Sequence, residues 1–392
     1  MLQGDILIKN GKVFQPTLNF FDRGDVLIEG NKIKAVIKDK GSEPINVKKV
    51  IHADGCIVSS GLIDFHTHLF NGGTQIGVNP DAFLFPQGVT AAVDQGSSGA
   101  ANFLSFYKDI IAPSEVKIYC FINVSSSGLT TLPTCFENLD PAQFDELQLK
   151  ILFENYPEKI VGLKIRTTDK IVGKYGYTAL KKAQEMARNF DCRLTVHTTD
   201  APGNQNDLIR FFKPGDIYAH VYHGGHNPIL DSTGKIVESI KDAKKGGIIF
   251  DTADGRDHYS FSVIKKCLKE NFYPDLISTD LVRSNVFDKA VFGLPLVMSK
   301  YLNLGMKIED VLKACTLVPA KILNQSKNFG TLLPGSIADI AIFRLENISL
   351  QMRDVYQGVL DLHTVIINKV TIANGKLVYV QLEYSPFIDE YR

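Results

Sequence analysis

Two histidines one residue apart, His66 and His68, end a short apolar run, Gly61-Leu62-Ile63-Asp64-Phe65-His66-Thr67-His68. On a β-strand, residues i and i+2 project from the same face, so two neutral imidazoles here can grip one metal ion from one side. A bare His-x-His also arises by chance packing, and the rest of the chain decides between the two readings. Polar groups recur at the ends of later apolar runs. Lys164 and Arg166 stand at the end of one, His197 at the end of the next, then His220 and His223, and finally Asp280.

Eight such runs are present: Leu62 to His68, Val89 to Gln95, Lys117 to Val124, Ile160 to Arg166, Arg193 to Thr199, Ile217 to His223, Gly247 to Asp254, and Leu276 to Asp280. Amphipathic stretches such as Tyr177 to Phe190 and Ser260 to Glu270 separate most of them. This alternation marks a parallel sheet. Eight units predict an α/β fold, a closed (β/α)8 TIM-like barrel, whose chemistry gathers at the C-terminal strand ends where these polar residues fall. Outside the barrel, Asp5 to Val13 echoes Ile366 to Val378, each a period-two strand with an Asn-Gly turn, and Asp25 to Ile37 adds a hairpin with Gly30-Asn31 at its corner. The chain ends, residues 1-58 and 334-392, are therefore expected to build a small β-sandwich domain beside a barrel of residues 59-333.

The segments GLIDFHTH, VGLKIRTT, TVHTTDAP, GDIYAHVYHG, IIFDTADG, LISTDL and GTLLPGSIADIAIF occur in that order. Together they resemble the amidohydrolase superfamily of metal-dependent hydrolases over essentially the whole chain, and within it the dihydroorotase-like amidohydrolase/deacetylase metallohydrolase branch. The resemblance implies a binuclear centre. His66, His68 and Asp280 would hold the more buried ion, His197 and His220 the outer one, and Lys164 would bridge them as a carbamate. The chemistry of the residues agrees: an ammonium cannot ligate a cation, but a lysine of lowered pKa can take up carbon dioxide and become carboxylate-like. Mixed nitrogen and oxygen ligands favour two Zn2+ ions, with iron, manganese or cobalt as alternatives. The expected nucleophile is a hydroxide bridging the two metals, water's pKa being brought from 15.7 toward about 7, with Asp280 as catalytic base and then acid. The structural alternatives are a buried ion pair for Lys164 and, for Asp280 in Ser278-Thr279-Asp280, a helix N-cap.

Four further residues are candidate substrate contacts. Arg166 lies two positions after Lys164 and faces the same way, as a carboxylate or phosphate clamp or a structural salt bridge. His223 would touch substrate or support the ligands. Asn123 would reach substrate or cap the Ser125-Ser126-Ser127 loop. Asp254 stands where members of the resembled branch usually carry a histidine. Dihydroorotases follow their His-x-His with a leucine and a carboxylate-binding arginine, whereas here Leu69 is followed by Phe70. The expected function is thus hydrolysis of an amide or ester, a deacetylation of a small carboxylate-bearing molecule. A dihydroorotase-type cyclic amidohydrolase ranks second, ahead of a deaminase or a non-catalytic assembly module. Phe70 to Phe85 and Asp200 to Asp207 are the loops expected to set specificity.

The remaining composition fits an ordinary enzyme. Forty-three basic and 43 acidic residues cancel among 392, which gives no global field to attract nucleic acid or a membrane. The six cysteines show no Cys-x-x-Cys and read as reduced packing residues of a cytoplasmic protein, with Cys120 and Cys192 placed in strands. The family likeness implies a homo-oligomer acting on a small-molecule substrate.

Overall fold

The computed structural model describes residues 2–38 and 45–390. Seven barrel strands form one parallel ladder in chain order: Leu62–Thr67, Val89–Gly99, Lys117–Asn123, Ile160–Arg166, Arg193–His197, Ile217–Ala219 and Ile249–Asp251. The first two are buried along their full length, as strands covered on both faces must be. The eighth run takes a different form from the one expected. It makes single parallel bridges, Leu276 to Asp251 and Leu281 to Thr67, which join the last strand to the first and close the ring. A continuous ladder is broken there because Asp280 sits at φ 52°, outside the extended region. The sixth and seventh strands likewise stop at Ala219 and Asp251, short of His223 and Asp254, because His220 (φ 67°) and Ala253 (φ 40°) turn the chain.

Helices lie where the periodicity put them, at Tyr177–Asn189 and Phe261–Lys269. The first buries Ala179, Leu180, Ala183, Met186 and Ala187 at helical spacing and exposes Lys181, Glu185 and Arg188. Beneath the barrel mouth, Ile63, Phe65, Phe121 and Leu276 pack with Leu323 and Phe329 into an apolar floor. Cys120 is in a strand, whereas Cys192 falls one residue before one. Among the described residues no helix is long and apolar enough to cross a membrane.

The two chain ends share one sheet. Ile57–Ser60 is its centre, pairing antiparallel with Ile340–Phe343 and parallel with Lys12–Val13. Ile8, Val13, Val58, Ile340 and Val370 fill a core of its own. Asn374 (φ 51°) and Gly375 (φ 76°) make the expected hairpin turn between Val359–Ala373 and Lys376–Val380. Asn10-Gly11 does not turn the chain: it forms a bulge inside Ile6–Gln15, with Asn10 at φ 63°, and the reversal comes later at Pro16–Leu18. The corner at Gly30-Asn31 abuts the one at Asn374-Gly375. Asn31 Nδ2 donates to Asn374 Oδ1 at 3.1 Å, and a Cβ on Gly375 would lie 2.1 Å from Gly30 O, so only glycine fits.

Asp339 ties this sheet to the barrel. Its buried carboxylate accepts from Lys117 Nζ at 2.9 Å and from Asn374 N at 2.8 Å. Asp339→Ala leaves the Lys117 ammonium without its counter-ion and should lower unfolding free energy by about 2 kcal/mol, read from urea denaturation.

Candidate metal centre

Loops above the barrel mouth enclose a cavity of about 280 Å³ lined by His66, His68, Lys164, His197, His258 and Asp280. Their ligating atoms form two groups. His66, His68 and Asp280 make one and His197, His220 and His258 the other, all atoms within each lying inside 4.8 Å of one another. Asp280 joins the groups, with Oδ1 3.2 Å from His68 Nε2 and Oδ2 3.8 Å from His258 Nε2. Lys164 Nζ lies 3.3 Å from His66 Nε2. A larger cavity of about 600 Å³ opens beside Tyr119, Arg193 and Leu323, at the strand starts, and carries none of these groups.

The imidazoles are oriented through Nδ1. His220 Nδ1 is 2.7 Å from Ala253 O, and because a carbonyl only accepts, the proton must sit on Nδ1 and leave a lone pair on Nε2. That Nε2 is buried without a hydrogen-bond partner among the described residues. An orphaned lone pair among other imidazoles fits a metal ion. His66 Nδ1 pairs with Asp251 Oδ2 at 3.2 Å, and Asp251 is itself fixed by Ser278 Oγ, which donates to its Oδ1 at 2.6 Å. His68 Nδ1 contacts Ser97 Oγ at 3.0 Å, and His258 Nδ1 contacts Thr199 Oγ1 at the same distance. Burial drives His66, His197 and His220 well below the ordinary histidine pKa, which keeps them in the neutral, ligating form. His220 and Asp280 both hold left-handed backbone, a strain that persists only where surrounding structure imposes it and that clusters at functional sites.

Lys164 is buried, and desolvation pushes its pKa down to about 8 despite the opposing pull of Asp280 and Asp251. An amine near that value has the free base needed to react with carbon dioxide at neutral pH. Gly96, at φ 79°, makes room for the lysine stem, since a Cβ there would lie 2.8 Å from Lys164 Cβ. Asp280 caps no helix: its backbone carbonyl accepts from Asn285 Nδ2 at 2.9 Å, and the next helix begins only at Leu294.

The expected ligands are therefore brought together, with one addition. His258 was not anticipated, although it lies in the FDTADGRDH stretch that follows the seventh strand; it sits on a loop, where no periodicity marks its direction. The substrate candidates divide. Arg166 and Asn123 line the cavity, but Asn123 is engaged, donating to Gly96 O and accepting from Ser125 N, and Arg166 is forked onto the buried Glu137. Asp254 is not a wall of the cavity. It lies fully buried against Lys300 at 2.5 Å and Tyr301 Oη at 2.7 Å, an internal ion pair that anchors the His258 loop. His223 also lies outside the lining, buried with Nδ1 accepting from Gly225 N. Ile76 represents the Phe70–Phe85 loop in the wall, Asp200 to Asp207 is absent from it, and Leu129, Leu132, Val282 and Ser284 come from loops after the third and eighth strands. Phe70 packs on Phe106 with ring centres 4.9 Å apart.

The groups behind the imidazoles should matter nearly as much as the rings. Ser97→Ala and Asp251→Ala are each expected to weaken retention of added Zn2+ by about 10- to 100-fold, measured by competition with a chromophoric chelator.

The sequence profile of the amidohydrolase family matches residues 57–378. Deacetylase Atu3266 of Agrobacterium fabrum is 30% identical over 330 residues, which are 84% of this chain and 80% of its own. Among solved structures, an adenine deaminase superposes with a TM-score of 0.87 and 28% identity, covering 96% of this chain and 100% of that one. A dihydroorotase does so at 0.85 and 28%, over 96% and 98%. A profile that runs from Ile57 to Val378, over the barrel and part of the chain-end sheet, with two candidate ligand groups gathered at one mouth, assigns the chain to the amidohydrolase family of hydrolases.

Proposed function

We propose that the protein is a binuclear metal-dependent hydrolase that removes an acetyl group from a small carboxylate-bearing molecule. The observation that carries the reading is the pair of ligand groups joined by Asp280, with Lys164 beside them. His66, His68 and Asp280 would hold one divalent ion, His197, His220 and His258 the other, and a carbamate on Lys164 would bridge them. Bound there, the ions would supply an acidified water and a Lewis acid for the scissile carbonyl.

The chain's own residues account for the rest. Asp280 Oδ1 faces His66 and His68 at 3.6 and 3.2 Å, which leaves Oδ2, toward His258, to accept the proton of the attacking water and return it to the departing nitrogen or oxygen. Ile76, Leu129, Leu132 and Val282 supply apolar wall, which excludes bulk water and strengthens the electrostatics inside. A cavity of about 280 Å³ suits a small metabolite. The deacetylase named among the relatives supports the choice of acyl group. Phe70, packed on Phe106, offers no cation where a dihydroorotase would have one, which sets that reading second.

Elemental analysis should find about two zinc-like ions per chain, and N-acetyl amino acids or O-acetyl hydroxy acids should release acetate while dihydroorotate is left unopened. Metal-free protein after growth in metal-replete medium, with no turnover, would sink the proposal. Asp280→Asn is expected to lower turnover by about 10³-fold with the fold retained, because an amide cannot shuttle the proton. Lys164→Ala should lower metal content, with partial recovery on adding short carboxylic acids. Full metal occupancy in that variant without such acids would remove the carbamate.

A further inference from the structure

A carboxylate-bearing substrate needs a cation that can release its present partner, and two arginines line the cavity. Arg166 is committed. Its Nε donates to Glu137 Oε1 at 2.5 Å and its Nη2 to Oε2, and the Glu137 side chain has no exposed surface. Drawing Arg166 toward a ligand would leave that carboxylate desolvated and unpaired, which opposes the movement. Arg256 is placed differently. It follows the seventh strand, two residues before His258, and its side chain is 51% exposed. Its Nη2 donates to Asp288 Oδ2 at 2.8 Å, and the Asp288 side chain is 35% exposed. Exposed pairs of this kind are weak and exchange readily with water or another anion. The backbone carbonyl of Ser284, itself a cavity-wall residue, lies 3.5 Å from the same nitrogen.

Resting on the hydrolase reading, we propose that Arg256 receives the substrate's carboxylate, exchanging Asp288 for it, and that Arg166 serves only to hold the wall through Glu137. The site then selects small acylated acids whose carboxylate lies on the His258 side of the cavity. The acyl carbon points inward toward Asp280. A guanidinium fork matches a carboxylate with two parallel hydrogen bonds, which a neutral amide cannot reproduce.

The test compares N-acetylalanine with N-acetylalaninamide on metal-loaded protein, by calorimetry for binding and by acetate release for turnover. Wild type should bind the acid about tenfold more tightly than the amide. R256Q should bring the two within about twofold and raise KM for the acid more than it lowers kcat. D288N, which removes the competing charge, should widen the preference. Equal or absent binding of both compounds by wild type, or a preference that survives in R256Q, would overturn the assignment. Turnover is read separately. A preference lost in R256Q without acetate release keeps the anion subsite and defeats the deacetylase, and acetate release with an intact preference in R256Q does the reverse.

Discussion

Clustering imidazoles in a buried chamber is unfavourable unless each ring is told which nitrogen carries the proton. Here the instruction comes from behind. Ala253 O fixes His220, Asp251 fixes His66, and the hydroxyls of Ser97 and Thr199 lie against His68 and His258. With Nδ1 occupied, the Nε2 atoms of His66, His68 and His258 turn inward around Asp280. The backbone departs from regular strand at the same places: His220, Ala253 and Asp280 take left-handed conformations that end two strands and break a third. The barrel's irregularities are thus the places where sheet regularity gives way to aiming donors.

This explains what was readable from the amino acids alone. His66, Lys164 and His197 sit on strands, where period two fixes their direction, and His68 follows the first strand by one residue; all four were legible. His220 and Asp280 were legible by position at the ends of apolar runs, but their backbone conformation was not. Nothing in a run of residues reports a φ that tertiary contacts impose. His258 and Arg256 lie on a loop, and loops carry no period. Asp254 and His223 show the opposite error: each ends an apolar run, as a site residue does, yet Asp254 turns away to meet Lys300, a partner 46 positions later that local pattern cannot reveal. Asn10-Gly11 misled for a related reason, since the same dipeptide that makes a turn also makes a bulge when the flanking strand continues.

Charge placement around the cavity follows from burial. Glu137 and Asp254 are both sealed against a cation, Arg166 and Lys300 respectively, and both pairs brace loops that frame the mouth. Such pairs contribute little net stability but fix geometry, because breaking either leaves a stranded charge. Exposed pairs such as Arg256 with Asp288 impose no such rigidity.

The sheet shared by the chain ends bears on synthesis as well as on architecture. Ile57–Ser60 has its neighbours on one side within 50 residues, but on the other it waits for Ile340–Phe343, and the corner at Gly30-Asn31 waits for Asn374-Gly375. At ~5–20 residues per second, the ribosome leaves that edge unpartnered for on the order of tens of seconds. A nascent strand in that interval is a site for mispairing with another chain. Its guard is local: the edge residues Ser59 and Ser60 are polar, and the strand is only four residues long.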